Sequence, residues 1–172
     1  MKNIGIRGIT LIELIAATAI IVLALFLISF RIKMQDIILK GEVNNIMSAL
    51  RYTRELDING EFYQYFILGA ENGKFYYKVS NGAFPETIYI KEYIDPCVII
   101  HKNISAEYDE SLPEDNTEYQ KLNKNINGRI NQIRFTKNAA IGACSIKFEC
   151  LKSSKEYKIT IVPTSGRVYL YE

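Results

Sequence analysis

Hydrophobic positions along this chain fall into three textures. From Ile9 to Phe30 the sequence is apolar almost without interruption, and Glu13 is its only ionisable residue. A helix over that run would be about 33 Å long at ~1.5 Å per residue, enough to cross a ~30 Å hydrocarbon core. Beyond it, Leu39, Val43, Ile46 and Leu50 recur at spacings of four, three and four. That is the stripe of an amphipathic helix, with Lys40, Glu42, Asn44, Asn45 and Arg51 forming its solvated face. Gly41 weakens the middle by about 1 kcal/mol relative to alanine without ending the pattern. The pattern fades at Asp57-Ile58-Asn59-Gly60. A helix from Ile9 to Asp57 would be about 73 Å long. One small domain has no use for that length, so the two halves must bury their apolar surfaces in different places.

After Gly60 the texture becomes that of strands. Glu61–Leu68 and Lys74–Ser80 flank Asn72-Gly73, the strongest short hairpin signal. Asn81-Gly82 marks a second turn before Thr87–Tyr93, and Pro96 limits how centrally the next strand, Cys97–His101, can sit. Residues Ser105 to Gly128 read as a long polar surface loop with a helical turn expected around Glu118–Lys124. Strands return over Ile130–Thr136, Ala143–Leu151, Glu156–Val162 and Arg167–Tyr171. The last two are joined by Pro163-Thr164-Ser165-Gly166. The fold class this predicts is α+β: a long N-terminal helix, transmembrane in its first half, packed on an antiparallel β-sheet domain. The segments are 1–8, a short leader; 9–30, the membrane half; 31–57, the amphipathic half; and 58–172, a β-rich globular domain.

Composition narrows the picture further. The 172 residues carry 21 Lys and Arg against 19 Asp and Glu. Loss of residues 1–8 takes Lys2 and Arg7 with it and leaves 19 basic residues against 19 acidic ones. A zero balance argues against a strongly basic nucleic-acid-binding domain. A secretory signal would place small residues and a cleavage site after the apolar run. Arg31-Ile32-Lys33-Met34-Gln35 follows Phe30 instead, so the segment stays attached and any cut precedes it. Charge does not set the orientation, because Lys2 and Arg7 on one side face Arg31 and Lys33 on the other.

A carboxylate inside a membrane-length apolar run is costly, and such residues are functional hypotheses by default. Its setting, Gly8-Ile9-Thr10-Leu11-Ile12-Glu13-Leu14, resembles the class III signal of type IV prepilins and type II secretion pseudopilins. The resemblance implies cleavage by prepilin peptidase between Gly8 and Ile9, N-methylation of Ile9, and Glu13 as the assembly carboxylate that pairs with the amine of a neighbouring subunit. It also implies a cytoplasmic N-terminus, a single membrane pass, and a globular domain outside that later reaches the cell surface in a filament. The partners it implies are the peptidase, other pilins or pseudopilins, the inner-membrane assembly platform, and lipid before assembly. Ile9 stands where phenylalanine is usual, and Phe30 where major pilins commonly carry a kinking proline. Ile133-Arg134-Phe135, Gly142, Ser145-Ile146-Lys147-Phe148, Tyr157-Lys158-Ile159-Thr160-Ile161 and Ser165-Gly166-Arg167-Val168 resemble the C-terminal part of H-type minor pseudopilins and of the D-type competence pilin. So does Ala49-Leu50-Arg51-Tyr52-Thr53-Arg54 at the helix end. Together they imply a minor subunit of a pilus, secretion or competence filament.

Other chemistry is sparse. Within one helix, the first N–H groups also favour a nearby carboxylate, so an intramolecular partner for Glu13 competes with an intersubunit one. Cys144 and Cys150 would lie about 20 Å apart on one strand, so any bridge needs Cys97 or a bend. Buried free thiols are the favoured reading. His101 is the only histidine, and no closely spaced ligand pair or phosphate loop accompanies it, so neither an enzyme, a cofactor nor a metal is expected. Glu107, Asp109, Glu110, Glu114, Asp115 and Glu118 lack the ordered spacing of a calcium loop and read as a solvated acidic loop. Arg129, Arg134, Lys137 and Arg167 are candidate DNA contacts. They carry the alternative of a DNA-uptake or adhesion receptor at a pilus tip. An uncut, signal-anchored surface protein is the other alternative.

Overall fold

The computed structural model describes residues 10–60, 63–82, 85–103, 119–136, 138–151, 153 and 155–172. One helix, α1 (Leu11–Asn59), precedes the strands. These are β1 (Gln64–Glu71), β2 (Lys74–Asn81), β3 (Ile88–Tyr93), β4 (Val98–Asn103), β5 (Tyr119–Lys121), β6 (Gly128–Thr136), β7 (Ala139–Ile141), β8 (Ser145–Cys150), β9 (Glu156–Ile161) and β10 (Val168–Tyr171). They form two antiparallel sheets, ordered β3-β2-β1-β6-β7 and β10-β9-β8-β4-β5. The α+β expectation of a long apolar N-terminal helix with antiparallel sheets holds. The chain divides into two compact units, residues 1–34 and 35–172, so α1 belongs with the sheets from Gln35 onward, four residues later than the expected start of the amphipathic half at residue 31.

That half is anchored by the stripe read from the sequence. Leu39, Val43, Ile46 and Leu50 are almost wholly buried, and Met47 and Ala49 join them. They share one core with Phe66, Leu68, Tyr77, Val79, Ile133 and Phe135 of the first sheet and Val98, Ile100, Ile146, Phe148, Tyr157, Ile159 and Ile161 of the second. Alternation along the strands sends these side chains to one face of each sheet, as the period of two requires. Thr53 is buried in the same stripe and donates its hydroxyl to the Ala49 carbonyl at 2.7 Å, so no donor is orphaned. Polar ties hold the helix to the loops. Asp57 Oδ1 accepts from the Gln64 N–H at 3.0 Å, where the chain turns back into β1, and the Ser153 hydroxyl donates to Asp36.

The Asn72-Gly73 turn closes the β1–β2 hairpin as expected, with Glu71 opposite Lys74. Both turn residues have positive φ, 52° and 72°, the pattern of a type I′ turn. Gly142 is required more strictly. Its φ is 76°, and a Cβ there would meet the Gln132 carbonyl oxygen at 2.2 Å.

Several expectations need correction. The segment Glu118–Lys124, read as helical, contains strand β5, which pairs with β4 through His101, Lys102 and Asn103. Short segments of three residues fall below the helix period, so strand pairing decided the outcome. The acidic residues from Glu107 to Glu118 lie outside the described residues. Strand β7 was not foreseen, because Ala139–Ile141 is too short to show alternation. The strand expected over Ala143–Leu151 is only Ser145–Cys150. Pro96 stays in the turn before β4, where the Val98 N–H bonds to the Asp95 carbonyl, and β4 itself sits one strand in from the sheet edge.

Glu42 departs from the solvated face assigned to it. It is half-buried, and its Oε1 accepts the Asp95 N–H at 3.1 Å. Burial raises its pKa above the ordinary 4.5, opposed by the Asp95 N–H and reinforced by the Asp95 and Glu92 carboxylates. As pH rises past 4.5, the unfolded chain releases this proton before the folded one does, so the Glu42 contribution to stability falls. Glu42→Gln keeps an oxygen acceptor and removes the charge. The variant should therefore be more stable than the parent at neutral pH, with the gap closing below 4.5. Denaturant unfolding across pH in detergent checks this, and a gap independent of pH would contradict it.

Candidate functional site

The first half of α1 is apolar on every side. Leu11 and Ile12 are 75% and 78% exposed, and Phe26 is 65% exposed. None of its most apolar stretch is buried, and α1 is long and apolar enough to cross a membrane. A helix that is hydrophobic all round needs a lipid or protein surrounding. Its hydroxyls are already satisfied within the helix, Thr18 donating to the Ile15 carbonyl and Ser29 to that of Leu25, each at 2.9 Å. Such internal satisfaction is what a hydrocarbon environment demands.

Glu13 is the exception that defines the site. One of its carboxylate oxygens, Oε2, accepts the Thr10 N–H at 2.8 Å and the Thr10 hydroxyl at 3.0 Å. In return, the Glu13 N–H points at Thr10 Oγ1, 3.3 Å away. Thr10 is thus the N-cap of α1 and Glu13 its third residue, a reciprocal capping box that satisfies two orphan donors. The helix dipole favours a negative charge at this end. The spacing Thr10-x-x-Glu13 ahead of an apolar run is the signature of that box. The signal was therefore present in the sequence, and reading Glu13 only by its distance from Gly8 passes over it. Gly8 and Ile9 lie outside the described residues.

The candidate DNA contacts are spread over two sheets. Arg129 and Arg134 lie on β6. The register shifts between Leu68 and Gly69 opposite Arg129 and Asn131, and this bulge lets Arg129 reach Gln132 Oε1 at 3.2 Å. The Arg134 guanidinium stacks on the Tyr63 ring, 3.4 Å from its centroid. Arg129 lines a groove with Tyr65, Ile67 and Glu86, and a carboxylate there is a poor neighbour for phosphate. Arg167 precedes β10 of the other sheet, and Lys137 lies outside the described residues.

The cysteines are free thiols, Cys150 buried and Cys97 and Cys144 half-buried. Cys144 Sγ accepts from Asn131 Nδ2 at 3.0 Å, and burial pushes its thiol up to about 11. His101 Nε2 pairs with Glu149 Oε1 at 2.9 Å. Among the described residues, no three of His, Cys, Asp and Glu converge where a metal ion could sit.

Comparison of the chain with known protein families, with characterised proteins and with solved structures gives no match.

The capping box makes a local prediction. Thr10→Val removes the hydroxyl that receives the Glu13 N–H and donates to its carboxylate. Amide exchange of Glu13 in micelles should quicken about five-fold, the size of a lost N-cap, while amides of the helix beyond Gln35 keep their rates. Unchanged exchange at Glu13 would contradict the assignment.

Proposed function

We propose that this chain is the precursor of a minor pilin-like subunit, non-enzymatic, whose apolar helix half is held in a membrane and then rehoused in a filament. The leader, residues 1–8, is removed between Gly8 and Ile9, and the new amine of Ile9 is methylated. The N-terminus faces the cytoplasm and the globular unit lies outside, until assembly carries it to the cell surface. The observation that carries the reading is the bare apolar half of α1, whose single carboxylate stands five residues after Gly8.

The capping box supplies a mechanism for switching partners. In the lone subunit, the Glu13 carboxylate is held by the neutral N–H and hydroxyl of Thr10. In the filament, the ammonium group of a neighbour's Ile9 offers the same carboxylate a charge-assisted bond, about twice as strong as a neutral one. Water is excluded there, so opposite charges attract more strongly than they would at a surface. A helix that slid out of axial register would leave both charges unpaired in an apolar core, which is expensive. Glu13 thereby sets register, while the surrounding aliphatic side chains supply the contact area. The globular unit, with its own core, is free to differ between subunits and to choose partners.

Glu13→Ala tests the mechanism. The variant should be cleaved and retained in the membrane like the parent, but its yield in sheared filaments should drop at least ten-fold. Normal incorporation of the variant would defeat the pairing mechanism. A variant that is no longer cleaved would point to the peptidase as the reader of Glu13.

A further inference from the structure

The Cys97 and Cys150 thiols have no role in the helix mechanism, yet the fold sets them against each other. Strands β4 and β8 pair so that Val98 lies opposite Cys150. Cys97 stands one residue before that pair, in a turn rather than in the strand, so strand alternation does not turn it away, and its thiol is hydrogen-bonded to that of Cys150. Cys150 belongs to the buried core and Cys97 packs on its margin. The turn that holds Cys97 is fixed by Asp95, whose Oδ1 accepts the Cys97 N–H at 2.8 Å. A groove of about 380 Å³ opens beside the pair and is lined by Pro96, Val98 and Leu151, the chain neighbours of both cysteines. Cys144 is placed apart, on Asn131.

We infer that Cys97 and Cys150 are a redox pair that closes to an intramolecular disulfide when the globular unit meets oxidising surroundings. A disulfide needs two thiols close together on one side of the chain. Cys97 and Cys150 meet that condition on the margin of the same core, whereas the length of β8 keeps Cys144 and Cys150 apart. The acceptor is a disulfide, either of a thiol oxidoreductase or of a small molecule. Cys97, the more accessible thiol, loses its proton, and its thiolate attacks one acceptor sulfur. A mixed disulfide forms and the other acceptor sulfur leaves as thiolate. The Cys150 thiolate then attacks Cys97 Sγ and displaces the remaining acceptor sulfur. The two protons lost by the cysteines go to the two acceptor thiolates. The protein is oxidised by two electrons and the acceptor is reduced by two. Burial, with the Cys150 thiol and the Asp95 carboxylate adding to it, pushes the Cys97 thiol far up. Cys97 is therefore a slow nucleophile, suited to catalysed rather than spontaneous closure.

The bond would close a covalent loop that runs from β4 through β8 and so includes strands of both sheets. A loop of about 50 residues constrains the unfolded chain strongly, and the expected gain is a rise of roughly 10 °C in Tm. The pairing itself does not depend on the filament reading, whereas its occurrence in cells rests on the outer placement of the globular unit.

The test uses the full chain in detergent, oxidised by glutathione disulfide. The expected results are a mass lower by two hydrogens, one maleimide-reactive thiol left after denaturation, and a linked peptide pair containing Cys97 and Cys150. Tm should rise by roughly 10 °C and return on reduction. Cys144→Ser should behave like the parent, and Cys97→Ser should lose the linkage. Three reactive thiols after prolonged oxidation, a bond mapped to Cys144, or only intermolecular dimers would overturn the pairing. Protein alkylated at extraction from cells separates the two ideas. A linked pair there supports both, while free thiols in cells together with closure in the purified chain would contradict the outer placement alone.

Discussion

An apolar surface that encircles a helix cannot stay in water, and everything else in this chain follows from where that surface goes. Burial is worth about 25 cal/mol per Å² of apolar area, and every residue from Leu11 to Phe30 is exposed. The second half of the same helix does the opposite. Leu39, Val43, Ile46 and Leu50 spend their apolar area inside the globular core. One continuous element thus has two fates, an internal one that folds the domain and an external one that must be met by lipid or by other helices. On the filament proposal, the external fate changes from lipid to protein without any change of fold.

On the same proposal, Glu13 gives that change a register. A purely apolar helix slides easily, because each aliphatic contact resembles the next. A single charge in the stripe makes one axial position better than its neighbours. The capping box with Thr10 shelters the charge in the meantime, since the carboxylate is never without donors. On the filament proposal the intramolecular contact gives way to an intersubunit one, because its donors are neutral and the neighbour's amine is charged.

Legibility in the sequence tracked the range of the interaction. Patterns repeated over several turns were plain, so α1 was placed to within two residues at either end, and the amphipathic stripe was read residue by residue. Local turn chemistry was equally plain at Asn72-Gly73. What depended on pairing between distant segments was not. Strands β5 and β7 are three residues long and acquire strand geometry only from β4 and β6. Glu42 looks solvated on a helical wheel, and only the return of the chain at Asp95 covers it. The proximity of Cys97 and Cys150 likewise follows from the β4–β8 register, which no local pattern encodes. The capping box was different. Its four-residue signature was visible, but a second pattern laid over the same glutamate hid it.

The central claim is that the chain loses its leader while keeping its apolar helix. Intact-mass measurement of the protein extracted from membranes tests this most directly. A chain that begins at Ile9, heavier by one methyl group than the bare sequence, is the predicted result. A chain still beginning at Met1 in cells with an active peptidase would contradict it, and would leave an anchored surface protein in place of a filament subunit.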